Sequence, residues 1–119
     1  MPKRYVPARG DLVWLEVDPT SGHEQRGRRP ALPALVVSPQ AYNGRVGLAL
    51  VCPVTTQVKG YPFEVALPGS SKVSGVILAD QLKSLDWNAR QAQRIEPAPP
   101  DVVEEILAKI LTLLEGSGP

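Results

Sequence analysis

A polar loop at residues 18–30 (DPTSGHEQRGRRP) concentrates side chains that could bind an anion. Arg26, Arg28 and Arg29 lie within four positions of one another, and Glu24 precedes them in the same loop. A guanidinium presents planar donors that match two phosphate oxygens at once. Arg28 or Arg29 would therefore suit a nucleic-acid phosphate, although a solvated hairpin loop is an equally open interpretation.

A second polar cluster, Thr55-Thr56-Gln57, lies where an apolar strand pattern ends. Threonines at the end of a strand usually cap it or form a local turn. A hydroxyl at the same place could also donate to a phosphate oxygen. The pattern alone leaves both roles open.

The elements that must position these clusters are short and mostly extended. Thirteen prolines and ten glycines interrupt the chain. β-branched and apolar runs predict strands at 11–17, 34–38, 48–54, 63–67, 76–79 and, more weakly, 90–95. Asn43-Gly44 is typical of a two-residue hairpin turn. This spacing predicts a small, mostly antiparallel barrel.

The C-terminal residues change from a strand period to a helix period. Pro99 and Pro100 suit the first turn of a helix, and Gly116 can end it. The apolar stripe of this helix is expected to pack on the barrel or on a second subunit. The stripe comprises Val103, Ile106, Leu107, Ile110, Leu113 and Leu114.

Length and composition predict one domain over residues 1–119, with 43% hydrophobic and 21% charged residues. A single cysteine, Cys52, excludes an internal disulfide and a cysteine-based zinc site. The absence of a signal-peptide pattern and of a membrane-length apolar run predicts a cytoplasmic protein. Residues 1–100 carry a net charge of +4 and residues 101–119 a net charge of −3, which permits an anion-binding surface on the main body.

Short motifs in a fixed order along nearly the whole chain resemble the MazF/PemK family of toxins, the RNA-cleaving halves of bacterial toxin–antitoxin modules. Any one motif is weakly specific, whereas the ordered set is highly specific. The matching stretches include residues 5–7, 10–14, 24–30, 37–39, 53–57, 59–65 and 78–84.

This resemblance implies a mainly β fold, an SH3-like (CcdB/Kid/MazF-type) antiparallel barrel with a C-terminal α-helix, assembled as a homodimer. It implies a sequence-specific endoribonuclease that cleaves single-stranded mRNA without a metal or cofactor. The ribose 2′-hydroxyl would attack the adjacent phosphate and leave a 2′,3′-cyclic phosphate and a 5′-hydroxyl. The expected partners are the RNA substrate and a MazE-type antitoxin with an acidic tail, with no membrane.

The family's catalytic arginine and threonine correspond to Arg29 and Thr55. Arginine is a poor base because its pKa exceeds about 12, so Glu24 is a second candidate for the base. A lone histidine has no metal-ligand company and could be a solvated residue or an RNA contact. The side chains expected to bind RNA are His23, Gln25, Arg26, Arg28, Thr56, Gln57, Lys59 and Gln81.

One departure from the family is the tandem repeat RPALPALVVSP, which adds three residues after Arg29-Pro30. Because proline has no N–H, Pro33 is expected to delay the strand to about Ala34, and the added residues are expected to bulge outward. Two other functions stay open, the first because related toxins share the same barrel and the second because of this departure. These are a protein-binding, gyrase-inhibiting toxin of the CcdB type and a catalytically impaired domain that binds RNA or antitoxin.

Overall fold

The structure is a computed structural model that describes residues 4–17 and 30–116 of the chain. The strands of this part are β1 (Asp11–Glu16), β2 (Ala31–Val36), β3 (Ala49–Thr55), β4 (Glu64–Ala66), β5 (Val76–Leu78), β6 (Lys83–Leu85) and β7 (Gln93–Pro97). The helices are α1 (Gln40–Val46) and α2 (Pro100–Glu115), and a 3₁₀ turn covers Ala79–Gln81. The sequence pattern anticipated every strand except β6.

The strands form one antiparallel sheet in the order β4-β5-β3-β2-β1-β7, and β6 pairs with β3 next to β5. The mainly β class with a C-terminal helix is confirmed. The sheet is not the closed barrel that was expected, since β4 and β7 do not pair within the described residues. β4 has only three residues, so it offers few backbone groups for a further ladder. The two ends are instead joined by the N–H of Lys72, which donates to Glu96 Oε2 in β7 at 2.8 Å.

Both faces of the sheet are buried. Successive residues of a strand point to opposite faces, so neighbouring apolar residues of one strand enter different clusters. In β1, Leu12 belongs to a cluster completed by Ile106 of α2. Val13 and Leu15 belong to a second cluster on the opposite face, which Trp87 completes. This double burial fixes the register of β1, since a slip by one residue would exchange the two clusters.

Helix α2 begins at Pro100 and ends at Glu115, and it is followed by Gly116, whose φ of 60° gives the left-handed conformation that closes many helices. Val102, Ile106 and Ile110 are its buried residues. Of the two expected roles of the stripe, packing on the sheet does not extend to Leu113 and Leu114, which are 47% and 73% exposed in the single chain and stay predicted contacts of a second subunit.

The expected hairpin turn at Asn43-Gly44 is also wrong, because both residues lie inside α1. Asn43 is fully buried, and its Nδ2 donates to the carbonyls of Pro7 and Ser38 at 2.8 and 3.1 Å. The indole Nε1 of Trp87 donates to the Asn43 carbonyl at 2.9 Å. These tertiary partners outweigh the local turn preference of the dipeptide.

The tandem repeat neither delays β2 nor bulges, so both expectations about it are wrong. Pairing with β1 continues without a register shift, and Trp14 lies opposite Pro33. The N–H of Val17 donates to the Pro30 carbonyl at 3.1 Å, so alternation turns the Pro33 nitrogen away from β1. On that other side, pairing with β3 starts only at Ala34, and the missing N–H of Pro33 costs no ladder bond.

Candidate functional site

Three segments meet at one end of the sheet. β2 runs antiparallel to both β1 and β3, so the start of β2 lies beside the ends of its two neighbours. Val17, Pro30 and Thr55 mark this end of the three strands. Residues 18–29, which connect Val17 to Pro30 in sequence, lie outside the described residues. So do six of the predicted site residues, which are His23, Glu24, Gln25, Arg26, Arg28 and Arg29.

Thr55 is the last residue of β3 and is partly buried. Its Oγ1 accepts a hydrogen bond from the N–H of Gln57 at 3.1 Å, so the threonine does form a local turn. A hydroxyl has one donor and two acceptor positions, and the turn uses only an acceptor position. The Thr55 hydroxyl therefore keeps a proton that it can donate to an incoming oxygen.

The backbone at Thr55 is held by β5 and by the residue that precedes it. It pairs with Val76 of β5. Gly75, with a φ of +120°, approaches so closely that an added Cβ would lie 2.2 Å from the Thr55 carbonyl oxygen. Pro53 falls between the part of β3 that pairs with β6 and the part that pairs with β5, where an N–H would have no ladder partner. These constraints fix the backbone of Thr55, and the bond from the Gln57 N–H orients its hydroxyl.

An open cavity of about 270 Å³ lies on the face of the sheet to which Thr55 belongs. Val51 and Pro53 line it, and alternation places Thr55 next in the same row. Three charged residues, Lys83, Arg90 and Glu16, also line the cavity. The cavity thus combines apolar walls with two cationic groups and one acidic group, a combination suited to a ligand that has both a flat apolar part and an anionic part.

The sequence patterns gave no sign of the role of Arg90. Its guanidinium Nη1 donates to the carbonyls of Glu16 and Val17 at 3.0 and 2.5 Å. These bonds tie the end of β1 to a loop 73 positions further along the chain. Local sequence patterns cannot reveal a contact between residues so far apart in the chain.

The remaining predicted site residues are exposed, and three of them directly follow Thr55. Thr56, Gln57 and Lys59 are exposed and follow Thr55 directly, and Gln81 is exposed at the end of the 3₁₀ turn. The hydroxyl of Tyr61 donates to Asp80 Oδ1 at 3.0 Å and so links the two parts of this exposed region, here called the rim. Desolvation and the bond to Asp80 raise the pKa of Tyr61, which keeps the hydroxyl protonated as a donor.

Among residues 4–17 and 30–116, no group of three or more His, Cys, Asp or Glu side chains could hold a metal ion. The helices of that part are also too short or too polar to cross a membrane.

Comparison with known proteins relates the whole chain to one group of toxins. Residues 8–114 match a family profile described as the PemK-like, MazF-like toxin of type II toxin–antitoxin systems. The Endoribonuclease toxin MazF of Escherichia coli (strain K12) is 50% identical over 114 residues, which are 96% of this chain and 99% of that protein.

Solved structures show the same similarity. The crystal structure of MazF (Form-I) from Deinococcus radiodurans is 52% identical with a TM-score of 0.82, and the match covers 94% of this chain and 99% of that one. A MazE–MazF structure (Form-II) from the same organism is 49% identical with a TM-score of 0.82, over 93% and 97% of the two chains.

Proposed function

The chain belongs to the PemK-like, MazF-like family of toxins of type II toxin–antitoxin systems and is an endoribonuclease of that family, and we propose that it cleaves single-stranded RNA at the sheet end that carries Thr55. The main support is the position of Thr55. A hydroxyl with a proton to donate continues the strand row that lines the cavity holding Lys83 and Arg90, at the end of the sheet where β2 begins, and Arg29 precedes β2 in the sequence. The gyrase-inhibiting alternative is not favoured, because the relatives are endoribonucleases.

The proposed reaction is a transesterification within the RNA. The 2′-oxygen forms a bond to the adjacent phosphorus while the bond from phosphorus to the 5′-oxygen breaks. A base takes the 2′-proton and an acid supplies a proton to the leaving oxygen. The products are a 2′,3′-cyclic phosphate and a 5′-hydroxyl, with no cofactor consumed.

Each residue has a role that its chemistry supports. The Thr55 hydroxyl donates to a phosphate oxygen as negative charge increases there, and the Arg29 guanidinium donates to the same phosphate. Glu24 and Arg29 are the two candidates for the base. A Glu24→Gln variant separates them, because removal of the base abolishes the acidic limb of the pH–rate profile.

The surrounding polar side chains would bind the RNA strand on either side of the scissile phosphate. On the rim, Thr56, Gln57, Lys59 and Gln81 are exposed and available to an extended strand. From the loop, we assign His23, Gln25, Arg26 and Arg28 to the same task on the basis of their chemistry.

The protein would work in the cytoplasm as a homodimer that an acidic antitoxin tail inhibits. The similarity to MazE–MazF structures supports an antitoxin partner, and the net charge of +4 on residues 1–100 supports an acidic tail as its binding element. Light scattering that shows only an active monomer at micromolar concentration would contradict the dimer.

The deciding experiment is incubation with a long natural RNA in excess EDTA, followed by mapping of the new ends. We expect cleavage that leaves 5′-hydroxyl ends. The same assay is applied to Thr55→Ala, which should cleave RNA far more slowly. Thr112→Ala is its matched control, because the Thr112 hydroxyl donates to the Ala108 carbonyl within α2. An absolute requirement for a divalent ion would overturn the proposed mechanism.

A further inference from the structure

The carboxylate of Glu64 holds the backbone of the rim segment, defined here as residues 56–60. The N–H of Lys59 donates to Oε2 and the N–H of Gly60 donates to Oε1, both at 2.8 Å. Two successive N–H groups can converge on one carboxylate because Gly60 has a φ of +83°. Hydrogen bonds to an ionised acceptor are about twice as strong as neutral ones.

Two more charged side chains hold the residues that follow the rim segment. Asp80 accepts from the Tyr61 hydroxyl at 3.0 Å, and Lys109 Nζ of α2 donates to the Pro62 carbonyl at 2.6 Å. The rim segment itself is exposed along its whole length. Polar anchors therefore take the place of a hydrophobic core in ordering this segment, which would otherwise lose conformational entropy without compensation.

We propose that Glu64 is a positioning residue that preforms the rim segment as an RNA-binding edge beside Thr55, with Lys59 presented to the phosphates of the strand. This inference rests on the proposed function. Glu64 itself needs no contact with RNA, because both of its oxygens are occupied by the backbone of the segment.

The expected effect on KM and kcat follows from the contacts that hold Thr55 and the rim segment. Thr55 is held by the ladder to β5 and by Gly75, neither of which depends on Glu64. A disordered rim segment would have to be ordered by each RNA molecule that binds, which weakens binding. Loss of the Glu64 bonds should therefore raise KM and leave kcat nearly unchanged.

The first test is Glu64→Gln, which keeps the size of the side chain but turns an NH₂ group toward one of the two backbone donors. We expect KM for a short single-stranded RNA to rise about tenfold, with kcat within about twofold of the original. Hydrogen exchange of the Lys59 and Gly60 amides should accelerate. Glu96→Gln is the matched control, because Glu96 also accepts from a backbone N–H at 2.8 Å but lies in β7.

A second variant loosens the same turn without touching Glu64. Alanine at Gly60 would meet no atom within 4 Å, so its only cost is the positive φ of +83°. Gly47 at the end of α1 has a φ of +86° and equally open surroundings, which makes Gly47→Ala a control with the same backbone cost. Only Gly60→Ala should raise KM.

The coupling to Lys59 is tested by combining Glu64→Gln with Lys59→Met. If Glu64 acts by placing Lys59, the affinity of the double variant for RNA should lie within about twofold of the affinity of Lys59→Met alone. Fully additive losses, or an unchanged KM in both Glu64→Gln and Gly60→Ala, would overturn the inference. These outcomes presuppose that the original protein cleaves RNA, so its failure to do so would contradict the proposed function separately.

Discussion

Gly75 gives the most direct test of how the fold positions Thr55. In Gly75→Ala the new Cβ would lie 2.2 Å from the Thr55 carbonyl oxygen and 2.8 Å from its carbonyl carbon. Real Cβ atoms essentially never approach closer than 3.0 Å, so the two backbone segments must separate by roughly 1 Å. Backbone cannot rotate away as a flexible side chain can, and the displacement therefore reaches Thr55 itself.

The expected magnitude has a thermodynamic and a kinetic part. A non-glycine residue at a φ of +120° costs about 1–2 kcal/mol, and overpacking adds about 1–3 kcal/mol. The free energy of unfolding should therefore fall by about 2–5 kcal/mol, which lowers Tm by about 8–20 °C for a chain of this size. A displacement of about 1 Å at a reacting group lowers kcat by about 100-fold.

The assay compares Gly75→Ala with Gly69→Ala, a substitution in the same loop. Gly69 has open space around the position of an added Cβ and no positive φ, so its variant should keep Tm and kcat. Cleavage is measured below Tm of the weaker variant, with circular dichroism to confirm that it is folded. A folded Gly75→Ala protein with unchanged Tm and kcat would refute the reasoning that Gly75 fixes Thr55.

Three further predictions concern the hydroxyl donor, the rim and the buried thiol. Thr55→Ala should lower kcat on RNA by about 100-fold with Tm nearly unchanged, and a folded variant that cleaves normally would remove Thr55 from the catalytic set. Tyr61→Phe removes the bond to Asp80 and should raise KM about two- to fivefold, whereas Tyr42→Phe, which loses no hydrogen bond within the described residues, should leave KM unchanged. Burial raises the pKa of the Cys52 thiol from 9.0 to about 12, so the thiol of the unfolded chain loses its proton at a lower pH than that of the folded chain. The free energy of unfolding should therefore fall between these two pH values, by up to about 1.4 kcal/mol per pH unit. Denaturation curves at pH 8 and pH 10 would show the decrease.

Several features of the fold could be predicted because they are local. The strand β1 and the limits of α2, with prolines before and in its first turn and Gly116 after its last residue, are set by a few neighbouring residues, and the structure confirms them. The position of Thr55 at the end of a strand was predictable for the same reason. The family resemblance supplied the expected role of Arg29, which no periodic pattern could have supplied.

The errors arose where distant residues changed a local preference. Asn43-Gly44 has the sequence of a hairpin turn, yet the dipeptide is helical. The buried side-chain amide of Asn43 donates to the carbonyls of Pro7 and Ser38. Pro33 was expected to delay β2, yet its nitrogen faces the side where the pairing of β2 with β3 has not yet begun. In both cases the deciding atoms lie in another element.

The sequence by itself determined where most of the strands and the C-terminal helix form, which cluster is basic and which hydroxyl ends a strand. Only the tertiary structure decided that Arg90 holds the end of β1 and that Glu64 holds the rim segment. Periodicity and turn chemistry act over a few neighbouring residues, whereas these hydrogen bonds depend on the register of antiparallel strands and on loops that return from far along the chain. A register is set by the burial of both faces of the sheet together, and that burial exists only in the folded molecule.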